Sequence, residues 1–116
     1  MLSVYLHNIK FHAFHGVHEE EKVLGNDFEL NVEVQIEEVG KIESIHQTVN
    51  YVTVYHEIKK RMQQPTPLLE TVAQEMIELI YNLDKRIKSI SIHIKKQHPP
   101  IMGFEGAVGV SFSKQY

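Results

Sequence analysis

Hydrophobic and polar residues alternate with a period of two in the best-patterned stretch of the chain, residues 28–37. A period of two places one face of a β-strand in a core and the other face in water, which is typical of an antiparallel sheet. The stretch therefore predicts a strand that is buried on one side. Its apolar positions are Phe28, Leu30, Val32, Val34 and Ile36.

Three further segments predict strands. Residues 4–14 are rich in apolar positions, but their alternation breaks near Asn8, where a β-bulge would explain the break. The alternation returns from Ile87 and ends before Pro99. A short last strand is indicated by Val108, Val110 and Phe112.

The middle of the chain has a helical period instead. Asn50 is a suitable N-cap for a helix that ends before Pro65, and the apolar face of that helix recurs every four residues. Thr66 followed by Pro67 predicts a cap and first position for a second helix, which reaches to about Leu83. The apolar positions are Val54, Ile58 and Met62 in the first helix, then Leu69, Val72, Ala73, Met76 and Ile80 in the second.

The order of elements is ββααββ, which predicts an α+β fold. We expect a four-stranded antiparallel sheet, with two helices inserted between strands 2 and 3 and packed on one face. A sheet of four strands has two exposed edges, so association of copies through those edges is a reasonable expectation. No repeat or linker interrupts the chain, and residues 1–116 are predicted to form a single domain.

Composition narrows the class of protein. Of the 116 residues, 42% are hydrophobic and 23% are charged. These proportions are those of an ordinary globular domain. Twelve basic residues against fifteen acidic ones give a net charge of −3, which argues against binding to nucleic acid. No apolar run approaches the length of a membrane helix, which needs roughly 18 residues, and the first residues do not form a signal peptide. We therefore expect a cytoplasmic protein that contacts no membrane.

Four polar features could carry chemistry. They are the acidic run at residues 19–21, the Thr48-Val49-Asn50-Tyr51 segment, Leu68-Leu69-Glu70, and Lys96 at the end of a predicted strand. Each also has a structural explanation: a solvated charge run, a capping turn, a carboxylate at a helix dipole, and a lysine that keeps a strand end soluble.

Metal and thiol chemistry have less support. The chain has no cysteine, which excludes disulfides and thiolate ligands. His12, His15 and His18 recur every three residues, and three histidines could bind zinc. On a strand, however, this spacing alternates between the two faces. We therefore expect no metal site.

Taken in order, these segments resemble the dihydroneopterin aldolase family over essentially the whole chain. The resemblance implies the tunnelling fold, in agreement with the ββααββ order. It also implies homo-oligomers, either tetrameric rings or octamers of two stacked rings, with active sites between neighbouring subunits. The residues that carry the resemblance are Phe14-His15-Gly16-Val17, Glu20-Glu21, Leu24-Gly25-Asn26, Thr48-Val49-Asn50-Tyr51, Leu68-Leu69-Glu70, Lys96 and Pro100.

The reaction implied by this resemblance is the retro-aldol cleavage of 7,8-dihydroneopterin in folate biosynthesis. Its products are 6-hydroxymethyl-7,8-dihydropterin and glycolaldehyde, and epimerisation at C2′ is a further activity of some members. The substrate's own C6=N5 imine can accept the electrons of the broken bond. We therefore expect no cofactor, metal or lysine Schiff base, only positioning and proton transfer.

The resemblance also implies roles for seven residues. Glu70 would anchor the 2-amino and N3–H groups of the pterin in a forked contact, and backbone N–H groups near Leu69 would bind the 4-oxo group. Lys96 would act as general acid and base, and Glu21 would contact the trihydroxypropyl tail through water and Lys96. Three residues would come from the neighbouring subunit: Tyr51 as a proton donor, and Val49 and Asn50 as pocket contacts.

Three alternatives stay open. An epimerase of the same fold would act at C2′ of dihydroneopterin or its triphosphate. A non-catalytic oligomeric ligand-binding module would use Glu70 only as a helix cap and Lys96 only as a surface charge. A zinc-dependent relative would need three converging histidines. Departures from the common pattern at His18, Glu19 and Met102 leave the specificity for the substrate tail open.

Overall fold

The computed structural model describes residues 1–38 and 40–116. Its two long helices and four strands confirm the predicted order. The short helix α1 was not predicted, because it lies in a charged segment without an apolar period. The elements are β1 (Leu2–Ala13), α1 (Glu19–Leu24), β2 (Asn26–Ile36), a 3-10 turn (Ile45–Gln47), α2 (Tyr51–Met62), α3 (Leu69–Tyr81), β3 (Ile87–Lys96) and β4 (Val108–Gln115).

The four strands form one antiparallel sheet in the order β1-β2-β3-β4, so β1 and β4 are its edges. The apolar residues predicted for β2 are all buried, and the polar residues between them are mostly half-exposed. Antiparallel pairing brings the end of β1, the start of β2, the end of β3 and the start of β4 to the same end of the sheet. Ala13 pairs with Asn26, while Lys96 pairs with both Phe28 and Val108.

The predicted bulge in β1 is confirmed at Asn8. The register between β1 and β2 shifts between Leu6 and Ile9, and Asn8 has a positive φ of 54°. The Asn8 backbone N–H donates to Oδ1 of Asn31 at 2.9 Å. Asparagine tolerates this left-handed backbone better than most residues, which is consistent with a bulge at this position.

Helices α2 and α3 both cover one face of the sheet. Helix α2 contacts β1 and α3, and α3 contacts β3 and β4. Asn50 caps α2 as predicted, since its Oδ1 accepts from the Val52 N–H at 3.0 Å. Among residues 1–38 and 40–116, no helix has the length and hydropathy that a bilayer span requires.

The predicted start of α3 was wrong. Thr66 and Pro67 do not form its cap and first position, because the helix begins at Leu69 with Leu68 as N-cap. The Thr66 hydroxyl is used elsewhere: it accepts from Nη2 of Arg61 at 2.8 Å and donates to the Gln64 carbonyl at 2.9 Å. The backbone becomes helical two residues later than predicted, and the Thr66 hydroxyl bonds within the turn between the two helices instead.

Candidate active site

A cleft of about 320 Å³ opens at the end of the sheet where β3 finishes. Four segments line it: residues 16–18 and 21 from the turn after β1 and from α1, residues 67–70 at the start of α3, residue 96 at the end of β3 with residues 99–101 after it, and residues 108–110 of β4. Because the antiparallel sheet gathers these strand ends, groups that are far apart in sequence meet here. Of the seven predicted site residues, four line this cleft or lie at its wall: Glu21, Leu69, Glu70 and Lys96.

Glu21 and Lys96 form an ion pair at the base of the cleft, in which Lys96 Nζ donates to Glu21 Oε2. Both residues are buried, with 5% and 8% of their surface exposed. Lys96 shares the buried face of β3 with Ile92 and Ile94, which carries its side chain inward. Burial of two opposite charges is tolerable only when they neutralise each other, so the pair holds both groups in place.

Gly16 provides the room for this carboxylate. Its φ is +152°, and a Cβ built on it would collide with the carboxyl group of Glu21. The His18 backbone N–H also donates to Oε1 of Glu21 at 3.3 Å. The turn after β1 therefore fits around the carboxylate, and only glycine leaves enough space at this position.

The N-terminus of α3 forms the opposite wall. Glu70 is exposed in its first turn, and Leu69 beside it is buried against the core. Leu68 at the N-cap contributes no side-chain hydrogen bond to the helix. The N–H groups of a first helical turn have no partner within the helix, so this end can donate to an acceptor in the cleft.

Two buried polar residues beneath the cleft were not predicted as site residues. The sequence pattern places Arg61 on the polar face of α2, yet only 4% of its surface is exposed. Its Nε donates to Oε2 of Glu75 at 2.8 Å. His15 is fully buried, and burial, aided by Arg61 and Lys96, lowers its pKa to about 4. The sequence signals for His15 were its place in the Phe14-His15-Gly16-Val17 motif and in the three-residue repeat with His12 and His18, and neither indicated a buried position beside the cleft.

The other three predicted residues, Val49, Asn50 and Tyr51, lie away from this cleft. The neighbouring Thr48 carbonyl accepts a hydrogen bond from Arg86 at 3.1 Å, and Arg86 directly precedes β3. Lys96 lies at the opposite end of this ten-residue strand. A strand of that length spans about 30 Å. Val49 is buried in the core and Tyr51 is 57% exposed. Their contribution from a neighbouring subunit stays a prediction.

The three regularly spaced histidines have different surroundings. His15 is buried, His18 is exposed before α1, and His12 lies between Asp27 and the Leu24 carbonyl, at 2.9 and 3.0 Å. These two acceptors raise the pKa of His12. Within residues 1–38 and 40–116, no three histidine, aspartate or glutamate side chains are grouped as metal ligands.

Comparison with known proteins gives consistent matches over the whole chain. Residues 4–113 match the family model described as FolB, dihydroneopterin aldolase. The dihydroneopterin aldolase of Bacillus subtilis (strain 168) is 28% identical, over 99% of this chain and 98% of the relative. That of Streptococcus pyogenes serotype M18 is 29% identical, over 99% of each.

Solved structures of low identity show the same fold. Escherichia coli dihydroneopterin aldolase in complex with neopterin superposes with a TM-score of 0.85 at 18% identity, covering 98% of this chain and 99% of the other. The enzyme of Burkholderia thailendensis bound to guanine has a TM-score of 0.75 at 15% identity, covering 99% and 91%. The predicted tunnelling fold is confirmed by these likenesses.

Proposed function

Because the chain belongs to the dihydroneopterin aldolase family, we propose that the cleft between Lys96 and Glu70 binds 7,8-dihydroneopterin and cleaves its C1′–C2′ bond. Family membership makes the protein a carbon–carbon lyase. One observation carries the proposal for this site. A buried lysine–glutamate pair and an exposed carboxylate at a helix N-terminus face the same cleft, although they come from three different parts of the chain.

The first turn of α3 provides the groups that recognise the pterin. The Glu70 carboxylate accepts from the 2-amino and N3–H groups, and the N–H groups of the first turn near Leu69 donate to the 4-oxo oxygen. The relatives from Escherichia coli and Burkholderia thailendensis are described with neopterin and guanine. Guanine carries the same sequence of amino, N–H and oxo groups along one edge as a pterin. That shared edge supports a pterin-type ligand for this chain.

Bond cleavage needs only proton transfer once the substrate is held. A base removes the proton of the 2′-hydroxyl, the C1′–C2′ bond breaks, and glycolaldehyde leaves. The electron pair moves to C1′ and into the C6=N5 imine, which takes a proton at N5 and becomes an enamine. Protonation of C1′ and loss of the N5 proton then give 6-hydroxymethyl-7,8-dihydropterin. Lys96 acts as the acid and base around N5 and the 2′-hydroxyl.

The remaining roles require a second copy of the chain. Tyr51 of a neighbouring subunit supplies the proton for the enamine, and Val49 and Asn50 of that subunit complete the pocket. Glu21 orients Lys96 and contacts the substrate tail. The length of β3 supports this arrangement, because a strand of its size spans about 30 Å and separates Tyr51 from Lys96 of the same chain. The edges β1 and β4 would pair between copies in a tetrameric ring, with two rings forming an octamer.

Placement in the cell follows from the reaction. As part of this proposal we place the enzyme in the cytoplasm, and we propose that residues 1–116 act as one aldolase domain.

Product analysis tests the proposed function. The purified protein is incubated with 7,8-dihydroneopterin, and the products are separated by chromatography. Equal amounts of 6-hydroxymethyl-7,8-dihydropterin and glycolaldehyde are expected, and Lys96→Met should abolish both. Formation of 7,8-dihydromonapterin without glycolaldehyde would identify an epimerase instead. Tight binding without any turnover would indicate a ligand-binding module.

A further inference from the structure

His15 is fully buried and has no role in the reaction as proposed. Its Nδ1 accepts a hydrogen bond from the Thr66 backbone N–H at 3.1 Å. Nδ1 therefore carries no proton, and the neutral ring has its proton on Nε2. Among the described residues, Nε2 has no hydrogen-bond partner.

Thr66 is held through each of its polar groups. Its N–H donates to His15, its carbonyl accepts from the Gly16 N–H at 3.0 Å, and its hydroxyl accepts from Arg61 at 2.8 Å. Arg61 is in turn fixed by Glu75 of α3. The result is a latch, formed by His15, Gly16, Arg61 and Thr66, between the turn after β1 and the segment that leads into α3.

The latch joins the two halves of the cleft. On one side, Gly16 fits against the Glu21 carboxylate that binds Lys96. On the other side, the chain passes from Thr66 to Leu69 and Glu70 within four residues. The distance between the pterin-binding carboxylate and the proton-transferring amine therefore depends on how the Thr66 segment sits against His15.

We propose that His15 is a positioning residue, which holds the α3 wall at the correct distance from the Lys96–Glu21 pair through the acceptor at Nδ1. This inference rests on the proposed function for its kinetic consequences. Loss of the acceptor leaves the partly buried Thr66 N–H without its partner, so the segment shifts. Substrate still binds to Glu70, but its reacting carbon no longer meets the amine. The turnover number should fall much more than the affinity.

A matched pair of variants tests the position of the acceptor. His15→Asn places its oxygen near the site of Nδ1, whereas His15→Gln places it near the site of Nε2. With 7,8-dihydroneopterin as substrate, we expect His15→Gln to lower kcat about 10- to 100-fold with KM within about threefold of the wild type, because small misplacements of reacting groups cost that much. His15→Asn should retain kcat within about threefold. Equal kcat values for the two variants would overturn the proposal.

A control separates positioning from general destabilisation. Ile87→Ala removes a buried side chain at the far end of β3 and should lower the melting temperature without lowering kcat. If Ile87→Ala reduces kcat as much as His15→Gln does, the effect on kcat is only a consequence of lost stability, and the proposal fails.

Hydrogen exchange keeps the two proposals distinguishable. If the wild type binds dihydroneopterin but does not turn it over, the proposed function fails. The positioning role of His15 is then tested by hydrogen exchange of the Thr66 amide alone. That amide should exchange at least about tenfold faster in His15→Gln than in the wild type or His15→Asn. Equal exchange rates in all three proteins would overturn the positioning role, whatever the enzyme activity.

Discussion

Lys96 and Glu21 lie 75 positions apart in the sequence and form a buried ion pair at the base of the cleft. Lys96 comes from the last position of a sheet strand, and Glu21 from the first turn of the short helix α1. The contact therefore fixes α1, an element of only six residues, to the sheet. The same contact also fixes the amine of Lys96, which is the group proposed to transfer protons.

Removal of either partner of this pair should destabilise the protein. Lys96→Met or Glu21→Gln leaves the other charge buried without a partner, and the free energy of unfolding should fall by about 3–5 kcal/mol. The double variant should lose clearly less than the sum of the two single losses, because no unpaired charge remains. Urea unfolding of the four proteins measures this coupling. Strictly additive losses would show that the pair contributes nothing.

Glu70→Gln should affect binding rather than stability. Glu70 is exposed, so its loss should change the free energy of unfolding by no more than about 1 kcal/mol. An amide cannot accept from two neighbouring N–H donors as a carboxylate does, so KM should rise about 10- to 100-fold. Glu78→Gln, which changes another exposed glutamate of α3, is the matched control. Equal KM values for both variants would remove Glu70 from the pterin site.

Gly16→Ala should displace the Glu21 carboxylate. The added Cβ would occupy its position, and the φ of +152° is unfavourable for alanine. We expect a loss of more than about 2 kcal/mol in the free energy of unfolding, together with most of the activity. Gly103→Ala also has a positive φ, +75°, but nothing lies within 4 Å of the added Cβ, so it shows the cost of a positive φ without a collision. A loss in Gly16→Ala no larger than that in Gly103→Ala would show that the collision with Glu21 has no effect.

Mixing two inactive variants should restore activity if sites are shared between copies. Lys96→Met and Tyr51→Phe subunits each lack one group, but a mixed oligomer contains some sites with both. Unfolding and refolding the variants together should give up to about a quarter of wild-type activity, as expected for random assembly of sites from two subunits. Each variant refolded alone is the control. No recovery in verified mixed oligomers would mean that Tyr51 acts in its own chain or not at all.

Protonation of His15 should make the protein less stable in acid. Its pKa is lowered from 6.5 to about 4 in the folded state, so the unfolded chain binds this proton more readily. The stability contribution is fully present above pH 6.5 and is lost as the pH falls towards 4. Between pH 7 and pH 4.5 the loss should be about 2–3 kcal/mol.

The His15→Asn variant isolates this effect, since it lacks the titrating ring but keeps an acceptor. Its free energy of unfolding should depend less on pH over the same interval. The raised pKa of His12 acts in the opposite direction, but it is common to both proteins and cancels in the comparison. An identical pH dependence would show that His15 does not titrate as described.

Local patterns were sufficient for most of the fold. The alternation in β2, the bulge at Asn8 and the cap at Asn50 depend on residues that are close in sequence, and all three are present. The predicted start of α3 was two residues too early, since the helix begins at Leu69, and the Thr66 hydroxyl bonds to Arg61 of the preceding helix instead. The Thr-Pro pattern shows that a helix can begin nearby, whereas the packing between α2 and α3 determines where it begins.

The cleft itself depended on contacts that no local pattern contains. The resemblance to the dihydroneopterin aldolase family indicated Glu21, Glu70 and Lys96, but no local pattern indicated that a buried ion pair and a helix N-terminus share one cavity. Arg61 counts as a surface residue by its helical position, and it is buried because α3 and the Thr66 segment pack over it. His15 meets Thr66 across 51 positions. Periodicity reports which side of an element faces the core, whereas only the packed chain determines which distant polar groups meet there, because that depends on how whole elements lie against one another.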